Sequence, residues 1–167
     1  GENGLDVALK KRGYYIVDPT NIWSISSKAL SIQKIPPVTA FSIFPPLAIQ
    51  RELWIANGIN ASRIEIMDRV KTPKTTIFGR INAKPAASAF VSVANKIAMV
   101  HALIVDHKCQ RQGMGKFVMQ KVGDWADQLG AKSVVVLCTK KNQSANNFYK
   151  SLGMRVIGEY HYRLFKT

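Results

Sequence analysis

Apolar residues recur along this chain at two spacings, and the switches between them mark out its elements. Leu5, Val7, Ala8 and Leu9 make a short amphipathic stretch that ends in Lys10-Lys11-Arg12 and Gly13, a helix-stop signal. Tyr14-Tyr15-Ile16-Val17 reads as a strand, Asp18-Pro19-Thr20 as its break, and Ile22-Trp23-Ser24-Ile25 as a resumed extended segment. Residues 31–46 carry Pro36-Pro37 and Pro45-Pro46 and read as a loop. Pro46 suits the first turn of a helix, in which Leu47, Leu53 and Trp54 share a face and Gly58 marks the end. Ser62-x-x-Glu65 has the spacing of a capping box, and Ile66, Met67 and Val70 follow as a second helical stripe.

The pattern then turns to period two. Residues 75–81 read as a strand, Lys84-Pro85 as a turn, residues 87–93 as an alternating strand, and Asn95-Lys96 as a tight hairpin turn. Residues 97–105 are apolar on both faces, which predicts a central strand covered on both sides. Val118, Val122, Trp125 and Leu129 return to helical spacing, and Gly130 stops that helix. Gly123 lies inside it at a cost of about 1 kcal/mol against alanine, for which the sequence offers no reason. Residues 133–138 read as a buried strand, parallel to 97–105 by the right-handed crossover rule. A short helix over 145–152 closes at Gly153, and residues 155–158 and 160–165 are expected as two final antiparallel strands. No internal repeat is visible.

Composition narrows the classes. The chain has 167 residues, 47% apolar and 20% charged, enough for a domain with its own core. No apolar run reaches the roughly eighteen residues of a membrane span. The start has no signal-peptide layout and no initiator Met, and runs almost directly into a helix, so it reads as the start of a fragment. Cys109 and Cys138 are too few for a disulfide framework and lack metal spacing; with three scattered histidines and no paired carboxylates, a metal site is not expected. Cytoplasmic location is the default. The net charge of +14 would suit nucleic acid, an acidic partner or an anionic cofactor. The basic residues are scattered without interleaved aromatics or a nucleic-acid motif, which favours a solvated basic surface that also steers an anionic cofactor. Nucleic acid is therefore not the expected partner.

Gln110-Arg111-Gln112-Gly113-Met114-Gly115-Lys116 joins the central strand to the following helix. A helix start presents backbone N–H groups without intrahelical partners, at the positive end of the dipole. That is an anion site suited to phosphate, and Gly113 and Gly115 let a bulky diphosphate approach the main chain. Arg111 and Lys116 add charge. The same glycines also suit an ordinary helix packed closely on a strand. Neither G-x-x-x-x-G-K-[ST] nor G-x-G-x-x-G is present.

The segment does fit Q/R-x-x-G-x-G/A, as Gln110-x-x-Gly113-x-Gly115, and a second block follows: Asn142-x-x-Ala145-x-x-x-Tyr149-x-x-x-Gly153-Met154. In both blocks, over roughly residues 75–165, the chain resembles the GNAT superfamily of N-acetyltransferases, with Met154 where the family pattern has Phe. The resemblance implies a GNAT fold of the α/β (α+β) class: a mixed, mostly antiparallel sheet with a parallel central strand pair, flanked by helices. It implies a GNAT domain over 46–167, with 1–45 an N-terminal arm or the remnant of a truncated preceding half. It implies acetyl-CoA as co-substrate, its pyrophosphate held by Gln110, Arg111, Gln112, Gly113, Met114, Gly115 and Lys116. The pantetheine arm would pair with the backbone of Leu103, Ile104 and Val105, and Asn142, Ala145 and Tyr149 would complete the cofactor site.

Two residues are candidates for proton transfer. A Tyr at the position of Tyr149 sits beside the cofactor sulfur in the family and can donate to the leaving thiolate; the alternative is a Tyr that only packs beside Phe148. His101 matches the register of a histidine that helps remove the amine proton in arylalkylamine N-acetyltransferases; their second histidine falls at Met99, so a two-histidine relay is missing. A core or pocket-lining role for His101 stays open, as does a helix-cap role for Asn142. His161 is either an acceptor-side or an edge-strand residue. The expected activity is direct acetyl transfer from acetyl-CoA to a primary amine in a ternary complex; the alternative is a catalytically weak acyl-CoA sensor on the same fold. The acceptor and the oligomeric state, a homodimer included, stay open.

Overall fold

The computed structural model describes residues 2–32 and 34–166. Gly1, Thr167 and Gln33, which falls in the expected 31–46 loop, lie outside the described residues. The chain divides into two compact units, one over Ser24–Val136 and one made of Gly1–Trp23 with Leu137–Thr167.

The elements run α1 (Glu2–Lys11), β1 (Tyr15–Ser26), α2 (Ser27–Ser31), β2 (Ala40–Ile43), α3 (Ala48–Ala56), α4 (Ala61–Arg69), β3 (Lys74–Ile81), β4 (Lys84–Ala94) and β5 (Ile97–Val105). A short 3-10 turn over His107–Cys109 then leads to α5 (Met114–Gln128), β6 (Ser133–Thr139), α6 (Gln143–Ser151) and β7 (Arg155–Leu164).

In the larger unit the strands lie in the order β2-β3-β4-β5-β6. The first three pairings are antiparallel and β5–β6 is parallel, from Ile97↔Ser133 to Val100↔Val136. This is the expected mixed sheet with a parallel pair. Asn95 and Lys96 take positive φ (49° and 63°), as a two-residue hairpin turn between right-twisted strands requires. The preceding hairpin turns at Asn82-Ala83 (φ 48° and 62°). The expectation of a turn at Lys84-Pro85 was wrong; both residues begin β4, where a proline near a strand's start is tolerated.

Helices cover both faces of this sheet. On one, Trp54 of α3 and Ile64 and Met67 of α4 form a buried cluster with Phe90 of β4. The fully buried Gln50 bridges there, its Oε1 accepting from the Leu47 N–H at 3.0 Å and its Nε2 donating to the Ser88 hydroxyl at 3.2 Å. On the other, Met114, Val118 and Val122 of α5 are buried, and a Cβ added to Gly79 of β3 would lie 3.2 Å from Val118 Cγ2. The buried stripe of α5 continues through Ala126, not through Leu129, which is 46% exposed after the last turn. Gly123 has its reason here. The short helix α2, which the sequence did not reveal, crosses α5 so closely that a Cβ on Gly123 would lie 2.5 Å from Leu30 Cβ and 3.0 Å from the Ser27 carbonyl oxygen. Ser27 is tied down in turn, its N–H donating to the Lys132 carbonyl and its hydroxyl to that of Ala131. The first cap of α4 is Asn60, whose side chain accepts from the Arg63 N–H at 3.0 Å, and not Ser62, which lies inside the first turn.

In the smaller unit β1 and β7 are neighbours. Two expected interruptions are absent. At Asp18-Pro19 the strand continues because Asp18 takes a positive φ of 46° and the Pro19 carbonyl still accepts, from the Lys140 N–H at 2.7 Å. Residues 155–164 form one strand rather than two, because Glu159 simply points to solvent and pairs with Lys140. α1 is fastened by Asp6: Arg163 grips it through Nε (2.6 Å) and Nη2 (2.8 Å), and His161 Nε2 lies 2.8 Å from Oδ1.

Candidate active site

The larger unit holds the strand end and the loop. β5 is irregular where β4 shifts register: Phe90 faces His101, yet Ser88 faces Ile104, so β5 carries an extra residue between them. Ala102, with φ 50°, absorbs it. The Trp54 indole donates to the Ala102 carbonyl at 2.8 Å and fixes the bulge. The parallel ladder to β6 covers Ile97–Val100, and Leu103, Ile104 and Val105 lie beyond it, all half-buried.

From Val105 the chain enters the 3-10 turn, where the Asp106 carboxylate accepts from the Lys108 N–H at 2.8 Å. The loop is braced by its own amides. Gln110 Nε2 donates to the Val105 carbonyl at 3.3 Å, and Gln112 Nε2 to the Lys108 carbonyl at 3.1 Å. Arg111 takes φ 62° and Gly113 φ 80°, so the backbone turns sharply into α5. The first-turn N–H groups of Met114, Gly115 and Lys116 follow, where a helix supplies no acceptor of its own. The Met114 side chain is buried, so only its backbone is available to a ligand; Arg111 and Lys116 are exposed. A strand end, a tight left-handed glycine and an uncapped helix start are the parts of a phosphate cradle.

His101 lies on the face that α3 and α4 cover, its ring 6.4 Å from that of Phe90. Burial lowers its pKa, and the Arg63 guanidinium lowers it further, so the imidazole is neutral at pH 7.

The smaller unit holds the second motif. Asn142 caps α6, its Oδ1 accepting from the Ala145 N–H at 3.0 Å, so the cap reading of Asn142 is realised. Tyr149 is 7% exposed, packed between Trp23 (centroids 6.3 Å) and Phe148 (5.3 Å). Burial pushes its phenol pKa well above the usual value, with Cys138 adding to the effect. Cys138 is itself buried and its thiol pKa is raised by burial. His161 is held in the Asp6 cluster described above.

Sequence reasoning missed Asn146. Its Oδ1 accepts from Asn21 Nδ2 and Trp23 Nε1, both at 2.9 Å; its Nδ2 donates to the carbonyls of Thr139 (2.9 Å) and Asn142 (2.7 Å). All four hydrogen-bonding positions of the amide are used, and they hold the start of α6 in place. The only sequence signal is its position one turn after Asn142. Among the described residues no cluster of His, Cys, Asp and Glu could hold a metal ion, and no helix is long and apolar enough to cross a membrane.

Solved structures share this architecture. A GCN5-related N-acetyltransferase from Kribbella flavida superposes with a TM-score of 0.70 over 96% of this chain at 20% identity, and the chain spans 63% of that protein's length. The ribosomal-protein-S18-alanine N-acetyltransferase from Escherichia coli gives 0.59 over 69% of this chain and 76% of its own, at 21% identity. A Bacillus subtilis acetyltransferase in complex with CoA gives 0.61 over 72% and 78%, at 13% identity. No curated protein matches the sequence. At these identities the likeness shows the fold. The sequence pattern of the acetyltransferase (GNAT) family, however, matches residues 47–154, from the start of α3 through both motifs to Met154. The loop at Gly113, the α6 motif and the sheet that carries them are thus accounted for together: this chain belongs to the GNAT acetyltransferase family.

Proposed function

We propose that this protein is an acetyl-CoA-dependent N-acetyltransferase, in which a primary amine attacks the thioester directly in a ternary complex. The observation that carries this reading is the left-handed Gly113 at the head of α5, directly after a bulged strand and inside the span of the family pattern. Acetyl-CoA supplies an activated acyl group and a thiolate leaving group. The N–H groups from Gly113 to Lys116 would bind its pyrophosphate, with Arg111 and Lys116 adding charge. The backbone of Leu103, Ile104 and Val105 would pair with its pantetheine arm, and Asn142 and Ala145 would contact it from α6.

In transfer the C–N bond forms and the C–S bond breaks. His101, neutral at pH 7, takes the proton that the amine must lose, directly or through water. The Tyr149 phenol, kept protonated by burial, donates to the departing sulfur. The buried, protonated Cys138 is a poor nucleophile, which supports direct transfer over an acyl-enzyme.

Melting with and without acetyl-CoA tests the reading. At a hundred times its dissociation constant a ligand adds about 2.7 kcal/mol, which is roughly 5–10 °C for a chain of this size. We expect that shift in wild type and its loss in Gly113→Trp, each measured against the same protein without ligand. No shift in wild type at saturating acetyl-CoA would overturn the proposal. The alternative is a catalytically weak acyl-CoA sensor on the same fold. Binding without acetylation of any amine in a broad screen would select it.

A further inference from the structure

The bulge in β5 lies between the pairs Phe90↔His101 and Ser88↔Ile104, so Ala102 and Leu103 together oppose the single residue Ala89. It does not form without cost. Ala102 holds φ at 50°, in the left-handed region where a residue with a Cβ is strained. Without the bulge, the strand from Leu103 onward would slip by one residue, and its backbone N–H and C=O groups would point the opposite way. The ladder to β6 stops at Val100, so past that point β6 does not set the aim of β5.

Helix α3 splints this irregularity. Trp54 is 1% exposed, and its indole N–H donates to the Ala102 carbonyl at 2.8 Å. One turn earlier on the same face, the Gln50 amide donates to the Ser88 hydroxyl at 3.2 Å, and Ser88 is the residue paired with Ile104. The two hydrogen bonds therefore grip β4 and β5 at the bulge. The Trp54 backbone is itself anchored, its carbonyl accepting from the N–H groups of Asn57 (3.0 Å) and Ile59 (2.9 Å). Ala102 and Ile104 also pack against the cluster that holds Trp54. A phenylalanine could fill much of the same space. What the indole adds is one buried donor aimed at the carbonyl of the strained residue.

We propose that Trp54 is a positioning residue for the acetyl donor: by holding Ala102 left-handed, it keeps the backbone of Leu103, Ile104 and Val105 in the register that pairs with the pantetheine arm. This rests on the acetyltransferase reading above. The phosphate cradle at Gly113 lies beyond the strand end and does not depend on the indole.

The test measures two ligands by calorimetry: coenzyme A, and its nucleotide half, which keeps the phosphates but lacks the pantetheine arm. Trp54→Phe keeps an aromatic ring in the cluster and removes the donor. The inference predicts roughly tenfold weaker binding of coenzyme A, the size of one buried hydrogen bond, with the nucleotide half bound as in wild type. Adding Ala102→Gly should recover part of the loss, because glycine takes the left-handed conformation without strain. A role in packing alone would not be repaired from β5. Should Trp54→Phe fail to fold, Ala102→Val carries the test with the indole in place, since a β-branched residue resists positive φ; the same split between the two ligands is expected. Unchanged affinity for coenzyme A, an equal loss on both ligands, or no recovery in the double variant would overturn the inference and leave the acetyltransferase reading standing. Failure of wild type to bind coenzyme A would overturn that reading instead.

Discussion

Gly123→Ala should destabilise this protein, although alanine is the better helix former. Propensity alone favours the change by about 1 kcal/mol. Against it stands the crossing of α2. The new Cβ would lie 2.5 Å from Leu30 Cβ, whereas carbon atoms pack at about 3.5–4.0 Å, so the two helices must separate by about 1 Å or more. Ser27 limits that movement, because its backbone oxygen lies 3.0 Å from the same Cβ and its hydrogen bonds to residues 131–132 hold α2 in place. Overpacking of this kind costs about 1–3 kcal/mol, and expelling Leu30 instead would expose a side chain whose burial contributes about 1.5–3 kcal/mol. Net of propensity, a loss of up to about 2 kcal/mol remains, or a fall of up to roughly 8 °C in melting temperature. Gly4 supplies the matched control. It is also in a helix, yet an added Cβ would meet nothing within 4 Å. Gly4→Ala should be stabilising by up to about 1 kcal/mol. The assay is urea denaturation of both variants beside wild type. A Gly123→Ala protein more stable than wild type, as Gly4→Ala should be, would refute the close crossing.

Asn146→Asp is nearly isosteric but replaces two donated hydrogen bonds with a carboxylate oxygen facing the Thr139 and Asn142 carbonyls. A loss of about 2–4 kcal/mol in urea titration is expected, smaller at low pH, where a protonated Asp can donate again. Asp6 has its pKa depressed, first by its hydrogen bonds from Arg163 and then by His161. Its contribution is therefore fully present above the ordinary carboxylate range and is lost as pH falls below it. Asp6→Asn should flatten that acid limb of stability and leave the region above it level. Tyr149→Phe should lower kcat about a hundredfold with little change in acetyl-CoA binding; an unchanged kcat would remove the phenol from proton transfer. Because burial and Arg63 hold the His101 pKa below its ordinary value, the acid limb of kcat/KM should fall below pH ~6.5 and disappear in His101→Ala.

Several elements were legible in spacing, but the strand β2, Ala40–Ile43, was not: it falls inside the stretch 31–46 that the prolines mark as a loop. The Asn95-Lys96 turn, the parallel pair 97–100 with 133–136 and the two motif blocks could all be read from spacing. What could not be read depends on partners far along the chain. Gly123 looked like a defect because Leu30 is more than ninety residues away, and α2 is too short to show a period. Pro19 looked like a break because nothing local announces that Asp18 turns left-handed and that the Lys140 N–H meets the following carbonyl. Leu129 fitted the helical stripe by spacing but lies past the last turn. At the site, the loop and Tyr149 came from the motifs, and His101 from the resemblance to arylalkylamine N-acetyltransferases. Asn146 as the peg of α6 is a product of folding that no spacing encodes.

The smaller unit joins the first twenty-three residues to those beyond Leu137, whereas the larger one is continuous. During synthesis the two therefore face different waits. Once Val136 has left the ribosome, the larger unit has every strand that it needs. The first strand of the smaller unit must wait while roughly 110 further residues are made, about 6–22 s at ordinary elongation rates of about 5–20 residues per second. Through that interval Trp23 lacks Tyr149 and Tyr14 lacks Phe165, the rings that each packs against in the folded unit.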